Sequence, residues 1–323
     1  ISGNCGEQPL LPWESCNLGS INLANYVKGE LMSGTMDWDR LAATVAMAVR
    51  FLDNVIEINN YPLPEIEKIA KGNRKIGLGV MGWAETAVKL GVAYDSAAGL
   101  KKAEEVMKFI NERAMEASEE LAKERGVFQN WKGSIYDTES RHFRGVSAKP
   151  RNASRTTIAP TGTIAIAAGL QGSGIEPFFA VAYTRYNARA LDAIKNNKDA
   201  EAKDTFFEVN TLFKQVAKEQ DFFGLDEKAL WKKIEANHKA VRGIPEIPKH
   251  IQELFPTAHD VSIENHIKIQ AAFQRQTDNG VSKTINMPAT AKVEDVRKAF
   301  VMAYEMGCKG ITVYRDGSKA QQV

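Results

Sequence analysis

Cysteine is scarce in this sequence of 323 residues, which has only Cys5, Cys16 and Cys308. Three thiols are too few for a disulfide framework, and the odd number leaves one of them unpaired. Neither sign of charge is in excess, because 42 Lys and Arg residues face 40 Asp and Glu residues for a formal net charge of +2. That balance gives no basis for general nucleic-acid binding, so we expect no direct nucleic-acid partner.

Long apolar runs are also absent. No stretch approaches the roughly 18 to 20 residues needed to cross a bilayer, and the first residues lack the charged and apolar parts of a signal peptide. The composition, with 44% apolar and 25% charged side chains, is that of an ordinary globular protein. We therefore expect a cytoplasmic protein without a membrane partner.

The pattern along the chain predicts an α/β fold. Apolar residues at helical spacing indicate a helix over 37–58, and a longer helix runs from an N-cap at Ser96 to a stop at Gly126. Small and β-branched residues over 155–168 predict a strand, a turn and then a helix or second strand. Further expectations are a strand over 178–186, one or two surface helices within about 191–250, a helix over 293–306 and a short buried strand over 310–314.

The run Gly77-Leu78-Gly79-Val80-Met81-Gly82 matches the dinucleotide-binding fingerprint letter for letter. That fingerprint requires a preceding strand and an acidic residue about twenty positions later. Residues 72–75 make a poor strand, and Asp95 comes too early. We expect the glycines to let a helix pack closely against its neighbours instead.

A second candidate is the loop Pro160-Thr161-Gly162-Thr163-Ile164-Ala165. If a helix begins near Thr163, its free N–H groups and its dipole form an anion site, and the threonine hydroxyls add donors. The loop has no lysine and is therefore not a Walker motif. From these residues alone, a buried turn and a phosphate cradle remain equally acceptable.

The third candidate is Asn4-Cys5-Gly6-Glu7, with Cys16 eleven residues after Cys5. A carboxylate two residues away disfavours a thiolate, so Cys5 is a poor protease-type nucleophile. The histidines form no motif with it, and zinc-site spacing is absent, so we expect no metal. Loss of a hydrogen atom meets no such objection, and Glu7 would then be a base. The alternative is that both cysteines are small buried hydrophobic residues.

Four blocks together resemble the large chain of ribonucleotide reductases, most closely the class II, adenosylcobalamin-dependent chain. The first is Cys5 to Pro12 followed by Cys16 to Leu23, and the second is Asn73 to Gly82. The third is Arg151 to Pro177, and the fourth comprises Thr277 to Asn286 with Lys309 to Ser318. They follow the order of the family over nearly the whole chain.

The resemblance implies a ten-stranded α/β barrel, made of two antiparallel halves of five parallel strands, with a finger loop at 4–12 in its centre and helices outside. Residues 1–323 would supply the C-terminal part. Cys5 would carry the thiyl radical, Glu7 would take the proton of the 3′ hydroxyl, and Cys16 would be one of two reducing thiols. Residues 160 to 165 would hold the substrate phosphates. Cys308 is expected only to pack.

The same resemblance implies partners. These are a ribonucleotide di- or triphosphate as substrate, adenosylcobalamin as cofactor, the N-terminal portion of the reductase and an external dithiol; a homo-oligomer is also expected. The product would supply deoxyribonucleotides for DNA synthesis. Two alternatives remain open, namely a class I chain that receives its radical from a di-iron subunit and a non-catalytic nucleotide-binding half. The lone Tyr314, where class I chains have a tyrosine pair, favours cobalamin.

Three features depart from the family pattern. Asn4 directly precedes Cys5, whereas the family has one residue between them, so the role of Asn4 in holding the substrate rests on the resemblance alone. The N-terminal part, which carries the partner of Cys16, is missing. A C-terminal tail with a cysteine pair is missing as well. A chain that begins beside the radical cysteine suggests either an intein junction after Asn4 or a split gene.

Overall fold

The computed structural model describes residues 5–196, 201–221 and 227–318. The helices are α1 (Trp38–Ile58), α2 (Pro64–Asn73), α3 (Trp83–Lys89), α4 (Ala97–Arg125), α5 (Gly162–Ala167), α6 (Ala188–Lys195), α7 (Thr211–Glu219), α8 (Glu227–Ala236), α9 (Lys249–Leu254), α10 (Ile263–Gln274) and α11 (Val293–Glu305). The strands are β1 (Asn17–Asn22), β2 (Val27–Lys28), β3 (Thr35–Met36), β4 (Ile76–Met81), β5 (Ala182–Tyr186), β6 (Thr205–Val209), β7 (Thr284–Met287) and β8 (Thr312–Arg315).

The longest helices begin and end where their sequence predicts. The Asp37 side chain accepts a hydrogen bond from the Arg40 N–H at the start of α1, and Ser96 does the same for Gly99 at the start of α4. Gly126 follows the last residue of α4 with a φ of 82°. Capping side chains satisfy N–H groups that have no partner within the helix, which is why these boundaries are readable from sequence.

Parallel strands form the centre of the fold. β1 pairs in parallel with β4, from Asn17 opposite Ile76 to Asn22 opposite Met81. Leu78 of β4 forms a parallel bridge with Thr156, and Ile158 forms another with Val281, just before β7. β7 in turn pairs in parallel with β8. Five extended segments therefore lie in one parallel row, and within the described residues this row does not close into a ring.

A large apolar core covers one face of the first two strands of the row. It contains Ile76, Leu78 and Val80 of β4 together with the buried stripe of α1, including Val45 and Val49. Helices α4 and α10 pack into the same core. Burying an apolar side chain of this size contributes about 1.5–3 kcal/mol, so this cluster anchors the β1–β4 end of the row.

The region over 191–250 contains the two helices α7 and α8, as expected, but it also contains β6, which the helical interpretation missed. β6 pairs antiparallel with β5, Ala182 opposite Val209 and Tyr186 opposite Thr205. The run Thr-Phe-Phe-Glu-Val is β-branched and aromatic, which favours a strand, and that preference outweighs the approximate helical spacing. The predicted strand over 178–186 is correspondingly shorter, and β8 is half-exposed where we expected a buried strand.

Gly77 and Gly79 lie within β4, and only Gly82 follows the strand, as the N-cap of α3 with a φ of 72°. The first two glycines therefore form no turn after a strand, and the run lacks the geometry of a dinucleotide site. We expected these glycines to let a helix pack closely. For Gly77 and Gly79 that expectation was wrong, because no helix is the close neighbour. A Cβ at Gly79 would lie 2.0 Å from the Thr157 carbonyl oxygen, and one at Gly77 would lie 2.8 Å from the Gln8 Nε2. The glycines make room for the neighbouring segment and for the loop at 5–12.

None of the helices within the three described ranges has the length and apolarity that crossing a membrane requires.

Candidate active site

The loop at 5–12 lies directly against the parallel row. The Glu7 carbonyl oxygen accepts hydrogen bonds from the Gly280 N–H at 2.8 Å and from the Thr157 Oγ1 at 2.5 Å. A Cβ at Gly280 would lie only 2.3 Å from the Gly6 carbonyl oxygen, so glycine is required for this approach. The backbone of the loop is thus fixed by two central segments of the row. Asn4 lies outside the described residues.

Cys5 opens onto a cavity of about 300 Å³. The cavity has contributions from the loop, from the segment that precedes α5, from the turn at 173–177 and from β7 and β8. Its walls include Cys5, Pro160, Gly162, Gln171, Ser173, Gly174, Glu176, Ser282, Thr284, Asn286 and Thr312. Cys5 is a free, exposed thiol. The structure therefore brings Cys5 together with two members of the predicted phosphate loop.

One carboxylate oxygen of Glu7 is buried without a partner. Within the described residues, its Oε2 has no hydrogen bond. A buried carboxylate oxygen left without a donor is costly, and such atoms are commonly completed by a ligand. Glu7 itself is not among the residues that border the Cys5 cavity, so its role toward a bound hydroxyl group stays a prediction.

The loop at 160–165 has an unusual backbone. Thr161 adopts the left-handed conformation with a φ of 57°, which is strained for a β-branched residue. Its Oγ1 accepts a hydrogen bond from the Gly174 N–H at 2.7 Å, and its carbonyl oxygen accepts one from the Ala165 N–H. This arrangement turns the chain into α5 at Gly162, where a Cβ would have no atom within 4 Å.

The first N–H groups of α5 have no partner within the helix, as at any helix start. Gly162 contributes to the wall of the Cys5 cavity, so the start of α5 and the Cys5 thiol share one space. Gly162, Thr163 and the buried Ala165 also border an adjoining cavity, whereas Ile164 is half-exposed. The residues predicted to form one phosphate cradle therefore do not all face the Cys5 cavity.

Cys16 lies elsewhere. It immediately precedes β1 and borders a separate cavity of about 140 Å³ together with Tyr61 and Lys75. Burial raises the pKa of the Cys16 thiol to about 12, although the nearby Lys75 charge acts in the opposite direction. The Lys75 ammonium is paired with Glu14 at 2.7 Å. Cys16 is therefore held as a neutral thiol, and the described residues bring no second cysteine to it.

Cys308 is half-buried beside the apolar cluster of α10, α11 and β7, and burial raises the pKa of its thiol to about 11. Within the described residues, no group of three or more His, Cys, Asp or Glu side chains is arranged to hold a metal ion.

Sequence reasoning assigned no role to several residues that border the cavity, above all Glu176, Ser282, Thr284 and Asn286. The segment 281–287 alternates between buried and half-buried residues, and its even-numbered members face the cavity. That period of two is visible in the sequence as Ser282, Thr284 and Asn286 between apolar neighbours. Lys283 stands at a position where this alternation requires an apolar residue, and for that reason the strand was not predicted from the sequence.

The structure thus combines a parallel row of strands, a thiol-bearing loop that lies on it and a helix start across a shared cavity. The family model described as "Ribonucleotide reductase, barrel domain" matches residues 1–314. The chain belongs to this family.

Relatives of known name agree. The chain is 45% identical over 321 residues to a vitamin B12-dependent ribonucleoside-diphosphate reductase of Thermoplasma acidophilum, covering 99% of this chain and 38% of that protein. A protein of the same name from Mycobacterium tuberculosis is 46% identical, with 99% and 42% covered. A ribonucleoside-diphosphate reductase subunit alpha of Chlamydia pneumoniae is 29% identical, with 95% and 30% covered. The chain thus spans less than half the length of these relatives.

Among solved structures, the class Id ribonucleotide reductase alpha subunit of Actinobacillus ureae superposes with a TM-score of 0.74 at 24% identity. The superposition covers 98% of this chain and 53% of that one. At this identity the likeness supports the fold and not the chemistry. It agrees with the parallel row of strands described above.

Proposed function

We propose that this chain is the catalytic barrel portion of an adenosylcobalamin-dependent ribonucleotide reductase, and that Cys5 is its radical residue. One observation carries the proposal. Cys5 and the start of α5 border the same cavity, so a nucleotide with its phosphates at α5 would bring its ribose toward the thiol. The names of the two relatives at 45% and 46% identity support the same reaction and a nucleoside diphosphate as substrate.

The roles of the chain's own residues follow from their surroundings. A Cys5 thiyl radical would remove the 3′ hydrogen atom of the ribose and thereby become a thiol again. The unpartnered Glu7 Oε2 would accept the proton of the 3′ hydroxyl, which helps the 2′ hydroxyl to leave as water. The loop backbone is tied to Thr157 and Gly280, which holds the thiol and the carboxylate in a fixed relation.

Phosphate binding is proposed for the start of α5. Free N–H groups at Gly162 and Thr163 attract anions, and the helix dipole adds to this attraction. The absence of a Cβ at Gly162 leaves space for a phosphate oxygen to approach the backbone. Pro160 and the strained Thr161 set the direction of the turn. The loop contains no lysine, so this binding would use backbone N–H groups that are already fixed in place.

The residues around Cys5 fit the proposed cofactor. The thiol is exposed at the cavity, and the polar side chains of Asn286 and Thr312 lie along the walls formed by β7 and β8. These two residues would contact the adenosyl group, and residues outside this chain would complete the corrin site. When bound, adenosylcobalamin would supply the radical chemistry, and Cys5 would be the thiol that loses its hydrogen atom.

Further partners follow from the same proposal. Cys16 would form a disulfide with a thiol from the remaining part of the reductase as the ribose is reduced, and an external dithiol would restore both. The five-segment row would pair with five further strands of that part to complete a ten-stranded barrel, in a homo-oligomer. Three free thiols are typical of a reducing compartment, so we propose the cytoplasm as the location.

Reconstitution tests the proposal. The protein is incubated with adenosylcobalamin, a ribonucleoside diphosphate and dithiothreitol, with and without the remaining part of the reductase. Deoxyribonucleotide formed only with both cofactor and complementing part supports the proposal. Activity that requires a di-iron subunit instead of the cofactor would assign the chain to class I. Nucleotide binding without turnover in any combination would make it a binding-only half.

A further inference from the structure

Lys283 occupies a position where the strand pattern calls for an apolar residue. In the segment 281–287 the odd-numbered residues point into the core, and Val281, Ile285 and Met287 are apolar, as expected. Lys283 is 1% exposed and lies among them. A buried ammonium group is costly unless its hydrogen bonds are complete, so this exception requires compensation from its surroundings.

The compensation is complete. The Lys283 Nζ donates to the Glu176 Oε2, to the Thr284 carbonyl oxygen at 2.7 Å and to the His266 Nδ1 at 2.8 Å. An ammonium group has three donors, and all three are therefore used. The charges also balance, because Glu176 forms an ion pair with Lys283.

The tautomer of His266 follows from its two contacts. Its Nε2 lies 2.9 Å from the Ala258 carbonyl oxygen, which can only accept, so the Nε2 carries the proton. The Nδ1 then accepts from Lys283. His266 is fully buried, and burial together with the Lys283 charge lowers its pKa to about 3. The ring is therefore neutral and acts as an acceptor that orients the ammonium group.

Glu176 connects this buried group to the cavity. Its Oε1 accepts the Thr284 N–H at 2.7 Å, and both Glu176 and Thr284 are cavity residues. Two residues before Glu176, the Gly174 N–H donates to the Thr161 Oγ1, the contact that supports the strained turn into α5. A continuous series of hydrogen bonds and covalent chain thus runs from Lys283 to the start of α5.

We propose that Lys283, oriented by His266, is a positioning residue that holds Glu176 and the turn at 173–177 so that the start of α5 can bind the phosphates of the substrate. This inference rests on the proposed function, since it takes α5 as the phosphate site. A purely structural role explains the arrangement less well. Replacing a buried ion pair by apolar residues of similar volume is often neutral or stabilising, so folding alone gives no reason to keep charge here.

The test measures affinity for inorganic pyrophosphate by titration calorimetry in the full-length protein that carries this sequence. Lys283→Met is expected to weaken binding about tenfold, whereas Lys268→Met, a change at a lysine on the outer side of α10, leaves binding within twofold. Glu176→Gln keeps the size of the side chain and is expected to weaken binding to a similar degree. The double variant is expected to bind no more weakly than Lys283→Met, because both changes break one connection.

A spectroscopic readout separates positioning from general loss of structure. The ¹⁵N resonances of His266 are expected to report the neutral Nε2–H form in the wild type and to change in Lys283→Met and Glu176→Gln, but not in Lys268→Met. A folded Lys283→Met protein that binds pyrophosphate as the wild type does would overturn the proposal. If that variant does not fold, Glu176→Gln decides by the same criterion.

The outcomes also distinguish this inference from the proposed function. A wild type that binds pyrophosphate but never reduces ribonucleotides would contradict the reaction and leave the positioning role to be judged by the variants. A wild type that binds no pyrophosphate would overturn the phosphate site and the positioning role together.

Discussion

Two strands of the same parallel row, β4 and the segment 281–287, face the finger loop in opposite ways. On that side β4 presents Gly77 and Gly79, and the loop and the neighbouring segment fill the space that side chains would occupy. The segment 281–287 presents Ser282, Thr284 and Asn286, and these face an open cavity. β4 thus packs against other parts of the chain, whereas the segment 281–287 lines a cavity that a ligand can enter.

The comparison shows how glycine and polar residues divide one surface into a filled half and an open half. All six residues of β4 are buried, which is typical of a strand covered on both faces. The other segment alternates, as a strand does when only one face is packed. Cys5 lies between these two halves. It borders the open cavity, whereas Gln8, three residues later in the loop, lies against Gly77 of β4.

The largest expected effect concerns that thiol. Cys5→Ala removes the only atom able to carry the proposed radical, so turnover in the reconstituted reductase should fall below detection, by about 10⁴-fold or more. The thermal unfolding midpoint should stay unchanged, because Cys5 is exposed. Cys308→Ala is the matched control and should retain activity. An active Cys5→Ala protein would refute the proposed mechanism.

Gly79→Ala tests the filled half. The new Cβ would lie 2.0 Å from the Thr157 carbonyl oxygen, a backbone atom that cannot move independently. We expect a loss of about 3 kcal/mol or more in the free energy of unfolding, measured by urea denaturation. Gly310→Ala is the control, because its Cβ would lie 3.5 Å from the nearest atom and should cost less than about 1 kcal/mol. Equal losses of unfolding free energy in both variants would contradict the close packing described for Gly79 of β4.

Acid should destabilise the cavity side before the β1–β4 side. Burial and the Lys283 charge lower the pKa of His266 from 6.5 to about 3. Below pH 6.5 the unfolded chain therefore binds a proton that the folded chain does not. The free energy of unfolding should fall by about 1.4 kcal/mol per pH unit between roughly pH 6 and 4.

Asp53, on α1, also loses its contribution to stability on acidification, but at a lower pH than His266. Burial by itself raises its pKa, but the hydrogen bond and charge of Arg74 and the charge of Arg151 outweigh this, so the net shift is downward. Its contribution is present above its ordinary value of 3.8 and is lost as the pH falls through the lower folded value. Urea titrations from pH 7 to 4.5 should therefore lose their slope in His266→Gln and keep it in Asp53→Asn. A slope that His266→Gln leaves intact would contradict the neutral buried ring.

The smallest expected effect is in the open half. Gly162→Ala adds a methyl group that meets no atom within 4 Å, at the first position of a helix. The variant should gain up to about 0.5–1 kcal/mol in stability by restricting the unfolded chain. At the same time the methyl group should obstruct the phosphate, which raises the KM for the nucleotide with little change in kcat. A lowered KM would place the phosphate elsewhere.

Much of the secondary structure was predictable because it depends on local chemistry. Asp37 and Ser96 cap helices through their own side chains, and Gly126 ends one by its conformational freedom. β6 was missed because its residues fit two periodicities, and pairing with β5 decided between them. Gly77 and Gly79 were assigned to helix packing because sequence does not show which neighbour approaches a glycine.

The candidate site divides in the same way. The sequence by itself was enough to identify the family, through the spacing of Cys5, Glu7 and Cys16 and through the threonine–glycine turn at 161–163. Only the tertiary structure decided that Cys5 shares a cavity with α5, that Cys16 lies at another one, and that Lys283 and Glu176 meet beneath the first. Local sequence governs turns and caps, whereas contacts between residues more than a hundred positions apart exist only once the parallel row has formed, because that row brings their side chains together.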